Sequence, residues 1–464
     1  MTEKMNRAIV AITGGLISYF TLTFLEGIDF STIVELLFGS QADNYVNLHS
    51  LMLIIGIMFI VHISDEIGTF QFLAVVMIKM SRGKPIPLMI ILCTISVLFS
   101  SLLNNILTVM ILIPLTITAS RVLNVSPTPY ILTQAIMVNI GGTFFSISSI
   151  PNILIFNPST GISFIDYFFE IGFFSIITFI FSLLLFVFLY KNDLSIPKDK
   201  AIKILLYDFD VWNVVQSPRL LYASLIGLSS LMFSFIIFPA EILPPDVIAL
   251  SIAMLLTIIS RLDAKEIIEK FDFELMFYLL GIFIVVGGLE VVGVVDLLSS
   301  ILRSIGGGNE FLQLIIIMWV AALSSSFIDN VPVTKVFIPI VQGIAGTSPS
   351  SKNIYYYGLS IGANWGDNLT PLGDNILVLN IAKENNRPIS IKTFWKLGFI
   401  TTLYQLFLAT LFFTFLYDIT LGILVSGLLC VSIGVLIILF KSGPFKIHSI
   451  INMLIFRFRN FVIT

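Results

Sequence analysis

The sequence predicts an all-α integral membrane protein that consists of two inverted repeats, with about 10 transmembrane helices. Hydrophobic residues make up 57% of the 464 positions and charged residues only 11%, and the mean hydropathy is +1.02. This composition supplies too little polar surface for a soluble globule of that size. Apolar segments of about 20 residues, each enough to cross about 30 Å of hydrocarbon, recur along the chain. They are continuous and do not alternate, which excludes an outer-membrane barrel.

Two halves of the chain match at a constant step of 225 residues. The matched pairs are Gly56 and Gly281, Asn104 and Asp329, Asn105 and Asn330, Pro114 and Pro339, Asn139 and Asn364, and Gly141 and Gly366. Gly, Pro and Asn would not coincide at one step by chance in a chain rich in Leu, Ile and Phe. The offset therefore indicates a duplicated unit.

Hydropathy and the offset together divide one membrane domain, residues 1–464, into parts. Repeat one covers about 47–190, a charged linker 191–219, repeat two about 272–416, and a final helix with a basic tail 419–464. Crossings are predicted at 8–25, 49–64, 130–155, 166–190, 220–239, 246–260, 355–381, 394–416 and 419–440. The first crossing is predicted to be retained as a helix, because no small-residue cleavage site follows it.

Polar residues interrupt four of the apolar segments. Ser100, Ser101, Asn104 and Asn105 divide the block 86–118, and lipid offers such groups no hydrogen-bond partner. A re-entrant hairpin with a polar tip satisfies them, and a second hairpin is predicted at 311–345. The crossings at 130–155 and 355–381 contain Gly and Asn near their middles and are predicted to be broken helices.

The positions of the basic residues indicate the orientation. Each repeat has three full crossings and a hairpin that returns to its own side, so the two repeats enter from opposite sides. This topology places 22 of the 25 Lys and Arg residues on the side of both termini and the linker. Arg303 and Lys352 lie opposite, and Lys335 lies inside the membrane. The positive-inside rule makes the termini cytoplasmic, so hairpin one opens inward and hairpin two outward.

The polar tips and helix breaks supply the candidate binding residues, because half-helix ends and freed backbone groups at mid-membrane bind ions and small solutes. The first half contributes Asn104, Asn105, Asn139, Gly141, Gly142 and Thr143. The second contributes Asp329, Asn330, Asn364, Gly366, Asp367, Asn368 and Thr370. Helix packing is the competing explanation. Matched amides at both tips favour binding, since packing gives no reason for them.

Asp329 and Lys335 are costly to place inside the membrane, since a charged side chain at mid-membrane costs at least about 2.5 kcal/mol of insertion free energy. Two explanations are open for Lys335. One is a structural ion pair with Asp367 or Asp329. The other is a role in coupling, in which Lys335, Asp329 and Asp367 respond to the bound solute or proton.

Four segments resemble the ion-transporter superfamily, which includes arsenite permeases, NhaD-type sodium-proton antiporters and citrate or dicarboxylate carriers. The segments are 325–339, 362–373, 139–143 and 151–154, and the resemblance covers about residues 47–416. It implies a homodimer with a fixed scaffold and a moving unit made of the hairpins and broken helices, which is an elevator mechanism.

Two departures from the family pattern bear on coupling. The family's Gly-Asp-Pro-Pro-Asn is represented by residues 148–152, where Ser149 replaces the acid and Asn152 is kept. Both residues join the predicted substrate or ion-binding set. Lys335 stands where a neutral residue is expected, so its ammonium is predicted to replace a bound sodium. The coupling ion is then H⁺, or Na⁺ held at Asp329 and Asp367.

The sequence therefore predicts a secondary active transporter for a small inorganic ion or oxyanion in the cytoplasmic membrane, with no cofactor beyond the coupling ion. Neither tip contains Ser-Asn-Thr, which favours the permease and antiporter branch over a di- or tricarboxylate carrier, the alternative. A channel is disfavoured because it needs a continuous polar pore, whereas the polar residues here are concentrated at two tips and two breaks. An enzyme is disfavoured because His-Glu-x-x-His and Gly-x-Ser-x-Gly are absent. Nucleic acid is excluded as a partner by the lack of a basic stripe.

Overall fold

The computed structural model describes residues 6–156, 160–191, 194, 211–262, 264–269, 271–345, 349–372 and 375–427. Within these ranges eight helices are long and apolar enough to cross a membrane. The predicted all-α membrane class is confirmed. Most of the linker lies outside the described residues, as do the basic tail and all of the final helix beyond residue 427.

The first half begins with two helices before the repeat and then follows the predicted order. The helices are α1 (Arg7–Phe24), α2 (Phe30–Phe38), α3 (Val46–Ile67), α4 (Thr69–Met80), α5 (Pro85–Leu102), α6 (Asn105–Leu123), α7 (Thr128–Gly141), α8 (Ile150–Ile155) and α9 (Phe164–Tyr190). Hairpin one is α5 and α6, whose tip contains only Leu103 and Asn104. The first broken helix is α7 and α8.

The second half repeats this order after two connecting crossings. The helices are α10 (Pro218–Ile237), α11 (Pro245–Ser260), α12 (Ala264–Glu269), α13 (Phe273–Val291), α14 (Val294–Gly306), α15 (Glu310–Ser325), α16 (Asn330–Ala345), α17 (Pro349–Gly366), α18 (Asn375–Glu384) and α19 (Ile391–Tyr417). Hairpin two is α15 and α16. The helix starts Pro85 and Glu310, Asn105 and Asn330, and Ile150 and Asn375 are each 225 residues apart. The offset therefore extends to the helix boundaries.

Matched glycines bring equivalent helices into close contact. A Cβ at Gly281 would lie 2.4 Å from the carbonyl carbon of Ala11, so α13 packs directly on α1. A Cβ at Gly56 would lie 2.8 Å from the Ala249 Cβ, so α3 packs on α11 in the same way. These distances leave no room for a side chain. The helix α2 links the two helix pairs, and we name these five helices, together with α4, α10, α12 and α14, the scaffold. The helices α4 and α14 also pack on hairpin one and hairpin two, respectively.

The hairpins pack on the broken helices by a second pair of equivalent contacts. A Cβ at Gly141 would lie 2.6 Å from the Val97 carbonyl oxygen, and one at Gly366 would lie 2.3 Å from the Ala322 carbonyl oxygen. The serine next to each hairpin tip also bonds the broken helix of its own repeat. The bonds are Ser100 Oγ to the Val138 carbonyl at 2.6 Å and Ser325 Oγ to the Ala363 carbonyl at 2.7 Å. Hairpins and broken helices, with α9 and α19, form a second packed body, the hairpin unit.

Candidate functional site

The two hairpin tips meet around one cavity in the interior. Asn104 and Asn105 line it from hairpin one, and Asp329 and Asn330 from hairpin two. Ser149, at the start of α8, completes the part that the repeats contribute. The scaffold contributes Arg7, Leu275 and Tyr278. Of the predicted binding residues, these five from the repeats are the ones that line the cavity.

Side-chain amides link hairpin one to the opposite repeat. Asn105 Nδ2 donates to Asn139 Oδ1 at 2.7 Å, and Asn139 Nδ2 donates to Asn368 Oδ1 at 2.7 Å. Asp367 Oδ2 lies 3.4 Å from the same Asn139 nitrogen and accepts from Asn375 Nδ2 at 3.1 Å. All five side chains are buried. Buried polar networks of this kind fix one arrangement of the groups that they join, and this one joins the two helix breaks.

Asn152 holds the two breaks together on the other side. Its Nδ2 donates to the carbonyl oxygens of Gly142 and Phe145 at 2.9 and 3.1 Å. Its Oδ1 accepts from Ser360 Oγ at 2.8 Å and from Asn364 Nδ2 at 3.1 Å. The side chain is fully buried. Asn152 therefore positions the backbone of the break and does not face the cavity.

Four other predicted residues also have positioning contacts. Thr143 Oγ1 accepts from the Trp365 indole at 3.1 Å, and Thr370 Oγ1 donates to the Ser326 carbonyl. Gly141 and Gly366 permit the close helix contacts described above. Sequence reasoning placed these residues correctly at the breaks, but their contacts are with protein groups.

Three oxygen atoms converge at Gly142. A Cβ there would lie 3.2 Å from Asn364 Oδ1, 3.3 Å from Asn105 Oδ1 and 3.4 Å from the Asn139 carbonyl oxygen. Asn364 Oδ1 is buried and has no hydrogen-bond donor among the described residues. A buried acceptor without a donor is costly. The matched atom in repeat one, Asn139 Oδ1, accepts from Asn105.

The charged residues contact groups that the sequence did not indicate. Asp329 Oδ2 lies 3.3 Å from Arg7 Nη1. Lys335 Nζ donates to Asn47 Oδ1 at 2.6 Å and lies 4.7 Å from the centre of the Phe283 ring. The predicted alternative of an ion pair between Lys335 and Asp329 or Asp367 is therefore wrong. Lys335 is six residues beyond Asp329, about 9 Å along the helix axis, and faces α3 and α13.

Lys335 lies in a second cavity, which we name the acidic cavity. It has a volume of about 370 Å³ and lies between hairpin two and the helices α2, α3 and α13. Glu35, Asp43 and Glu290 line it. Among the described residues in its wall, Lys335 is the only basic side chain.

Sequence reasoning missed several residues of the site. Asn375 was recoverable, since it is a polar residue within eight positions of the predicted break residues Asp367, Asn368 and Thr370. Ser360 lies one turn before Asn364 on the same helix face. Arg7 and Asn47 could not be identified from the sequence, because the residues that they contact are 322 and 288 positions away.

Comparison with known proteins places the chain among membrane transporters. A sequence model described as citrate transporter matches residues 1–244 and 232–461. The chain is 27% identical over 415 residues to a 46 kDa membrane protein of Mycobacterium leprae, covering 89% of this chain and 94% of that protein. It is 26% identical over 453 residues to an uncharacterized transporter of Synechocystis, covering 90% and 94%.

A solved structure has the same fold. The YdaH transporter of Alcanivorax borkumensis is 14% identical, with a TM-score of 0.57 over 91% of this chain and 98% of that one. The predicted resemblance to the ion-transporter superfamily is confirmed by the match along both halves of the sequence. The chain is a membrane transporter that belongs to the citrate transporter family.

Proposed function

We propose that the protein is a secondary active transporter that moves a small ion or oxyanion across the cytoplasmic membrane with H⁺ or Na⁺ as the coupling ion. The observation that carries this proposal is the meeting of both hairpin tips and the start of α8 around one cavity, beside the buried amide network that joins the two helix breaks. Half-helix ends and unwound backbone at that depth are the groups that transporters use for solutes and ions. Alternating access then exposes the cavity to one side at a time.

The mechanism that fits best is an elevator, in which the hairpin unit moves against the scaffold within a homodimer. Packing supports the division, since α1 with α13 and α3 with α11 are joined by backbone-close contacts. The hairpins are joined as closely to the broken helices. Contacts between the two bodies include the side-chain pairs of Arg7 with Asp329 and Asn47 with Lys335. These two pairs can exchange without unpacking a helix, whereas α14 packs directly on α16 at Gly343.

A coupling cation, if Na⁺, is proposed to bind at the three oxygens around Gly142, in addition to the carboxylates Asp329 and Asp367. Amide and carbonyl oxygens are the ligands that hard cations prefer. We expect Asn364→Ala to raise the Na⁺ concentration for half-maximal flux by about tenfold, because one ligand is lost. Asn385→Ala, at the end of α18, is the matched control. An unchanged Na⁺ dependence in a folded Asn364→Ala protein would rule out this location.

Both termini are proposed to be cytoplasmic, on the strength of the basic residues. Cysteines at Arg82 and Lys383 should then react with an impermeant maleimide only in inside-out vesicles. Cysteines at Ala42 and Ser304 should react in right-side-out vesicles. All four positions are exposed. Reaction of Lys383→Cys from outside would show that the orientation is the opposite of the one proposed.

A di- or tricarboxylate carrier is the second candidate, favoured by the description of the matching family. Flux into proteoliposomes should be measured for arsenite, sulfate, succinate and citrate, each with an imposed Na⁺ or pH gradient. Saturable uptake of at least one solute, driven by one gradient, is the expected result. Ohmic conductance without saturation would instead indicate a channel.

A further inference from the structure

The cavity at the hairpin tips contains a basic side chain from outside both repeats. Arg7 is the first residue of α1, and its Nη1 contacts Asp329 Oδ2 at 3.3 Å. Its Nε lies 3.8 Å from Glu274 Oε1, and its guanidinium lies 5.5 Å from the centre of the Tyr278 ring. The Arg7 and Asp329 side chains are 35% and 17% exposed. Their contact is therefore more shielded from water than a surface ion pair.

The charge of Asp329 is not needed to cap its helix. Its Oδ1 accepts from the Val331 N–H at 3.1 Å. The matched residue in repeat one, Asn104, caps α6 with a neutral side chain by accepting from the Leu107 N–H at 2.8 Å. Asn and Asp are equally good caps. The two repeats therefore differ at this position by the negative charge of Asp329. The oxygen that does not cap the helix, Oδ2, contacts Arg7.

The ion pair spans the cavity and connects the two bodies. Arg7 belongs to the scaffold, whereas Asp329 lies at the tip of hairpin two. The cavity has a volume of about 20 Å³, which is room for about one water. A solute group that binds Arg7 from within the cavity must displace Asp329 Oδ2 from it. Opening of the pair removes the Asp329 carboxylate from Nη1 and leaves Glu274 3.8 Å from Nε, so another anion can take the place of Asp329 at Nη1.

We propose that Arg7 binds the anionic group of the transported substrate, and that Asp329 takes its place when the cavity is empty. This inference rests on the proposed transport function and narrows the substrate class to carboxylates and oxyanions. Two acceptor oxygens on one group suit a guanidinium, which donates two parallel hydrogen bonds. Glu274 is the other carboxylate on Arg7 and limits the net charge when substrate is bound.

Arg7 acts from one face of the membrane only. In an elevator the hairpin unit leaves the N-terminal end of α1 when it moves, whereas Arg7 stays with the scaffold. Substrate therefore meets Arg7 in the state that opens to the face at which α1 begins. A residue that merely stabilised the fold would change transport from both faces alike.

The test measures KM from each face for citrate, succinate and sulfate at saturating Na⁺ and fixed pH. Right-side-out and inside-out vesicles separate the faces. In Arg7→Gln we expect KM to rise about tenfold from the face of the α1 N-terminus and to stay unchanged from the other. Arg121→Gln, an exposed arginine at the end of α6, is the control. Equal changes from both faces, or none, would overturn the inference.

Asp329→Asn provides a second, independent measurement. Na⁺ is kept saturating, so that a cation site weakened by the loss of this carboxylate stays filled. The variant keeps the cap and removes the competing charge, so KM from the same face should fall about threefold. The fall should disappear in the Arg7→Gln background, because the two residues act on one another. A KM that is unchanged or raised in Asp329→Asn contradicts the exchange. If the wild-type protein transports none of the three anions but does transport another solute, the proposed transport function is kept and the proposal that Arg7 binds an anionic substrate is rejected.

Discussion

A disulfide between Ser299→Cys and Gly343→Cys is expected to stop transport completely. Ser299 is on α14 of the scaffold and Gly343 on α16 of hairpin two. A Cβ at Gly343 would lie 3.2 Å from the Ser299 Cβ, close to the 3.5–4.5 Å that disulfides require. Because the bond ties the hairpin unit to the scaffold, it blocks the proposed elevator motion. Flux in proteoliposomes should vanish on oxidation and return on reduction.

The control is a disulfide within the hairpin unit. A Cβ at Gly358 would lie 3.7 Å from the Met318 Cβ, so Gly358→Cys and Met318→Cys join α17 to α15. Oxidation of this pair should leave flux intact. Cys93 and Cys430 are first replaced by alanine in both proteins. Undiminished flux through a fully crosslinked Ser299→Cys/Gly343→Cys protein would refute a hairpin unit that moves against α14.

Lys335→Met is expected to abolish the dependence of flux on pH and to reduce flux strongly. Methionine keeps the length of the side chain but removes the only basic group among the described residues of the acidic cavity. Glu35, Asp43 and Glu290 then face one another without a counter-charge, and Asn47 Oδ1 loses its 2.6 Å donor. Like charges around one partly shielded cavity repel one another.

Lys335→Arg should also fail as a proton-coupled transporter. A guanidinium stays protonated under all conditions, so it cannot release a proton during the cycle. Initial rates from pH 5.5 to 8.5, with and without Na⁺, are the measurement, and Lys383→Met is the exposed control. If Lys335→Met has the wild-type rate and pH profile, Lys335 is structural. Sodium coupling through Asp329 and Asp367 then becomes the better account.

The membrane class, the repeats and the positions of the tips and breaks could all be predicted from the order of residues in the chain. Each of these features depends either on residues that are adjacent in the chain or on matches at one constant step. Ser100 and Asn105 interrupt an apolar run, and Gly141 and Gly366 occupy the same step in two halves. A polar residue inside an apolar helix needs a partner wherever it folds, so its sequence position already implies a break.

Which charged residues contact one another follows only from the packing of the helices. Arg7 and Asp329 are 322 residues apart, and Lys335 and Asn47 are 288 residues apart. Sequence reasoning paired Lys335 with the nearest intramembrane acids, but helix rotation turns it toward α3. The contacts of Asn364 could not be predicted either. Among the described residues its Oδ1 has no hydrogen-bond donor, whereas Oδ1 of the matched Asn139 accepts from Asn105. Identical residues at a repeat offset acquire different partners because the side chains packed around them differ: Asn139 accepts from Asn105, whereas Asn364 donates to Asn152 and to the Ser360 carbonyl.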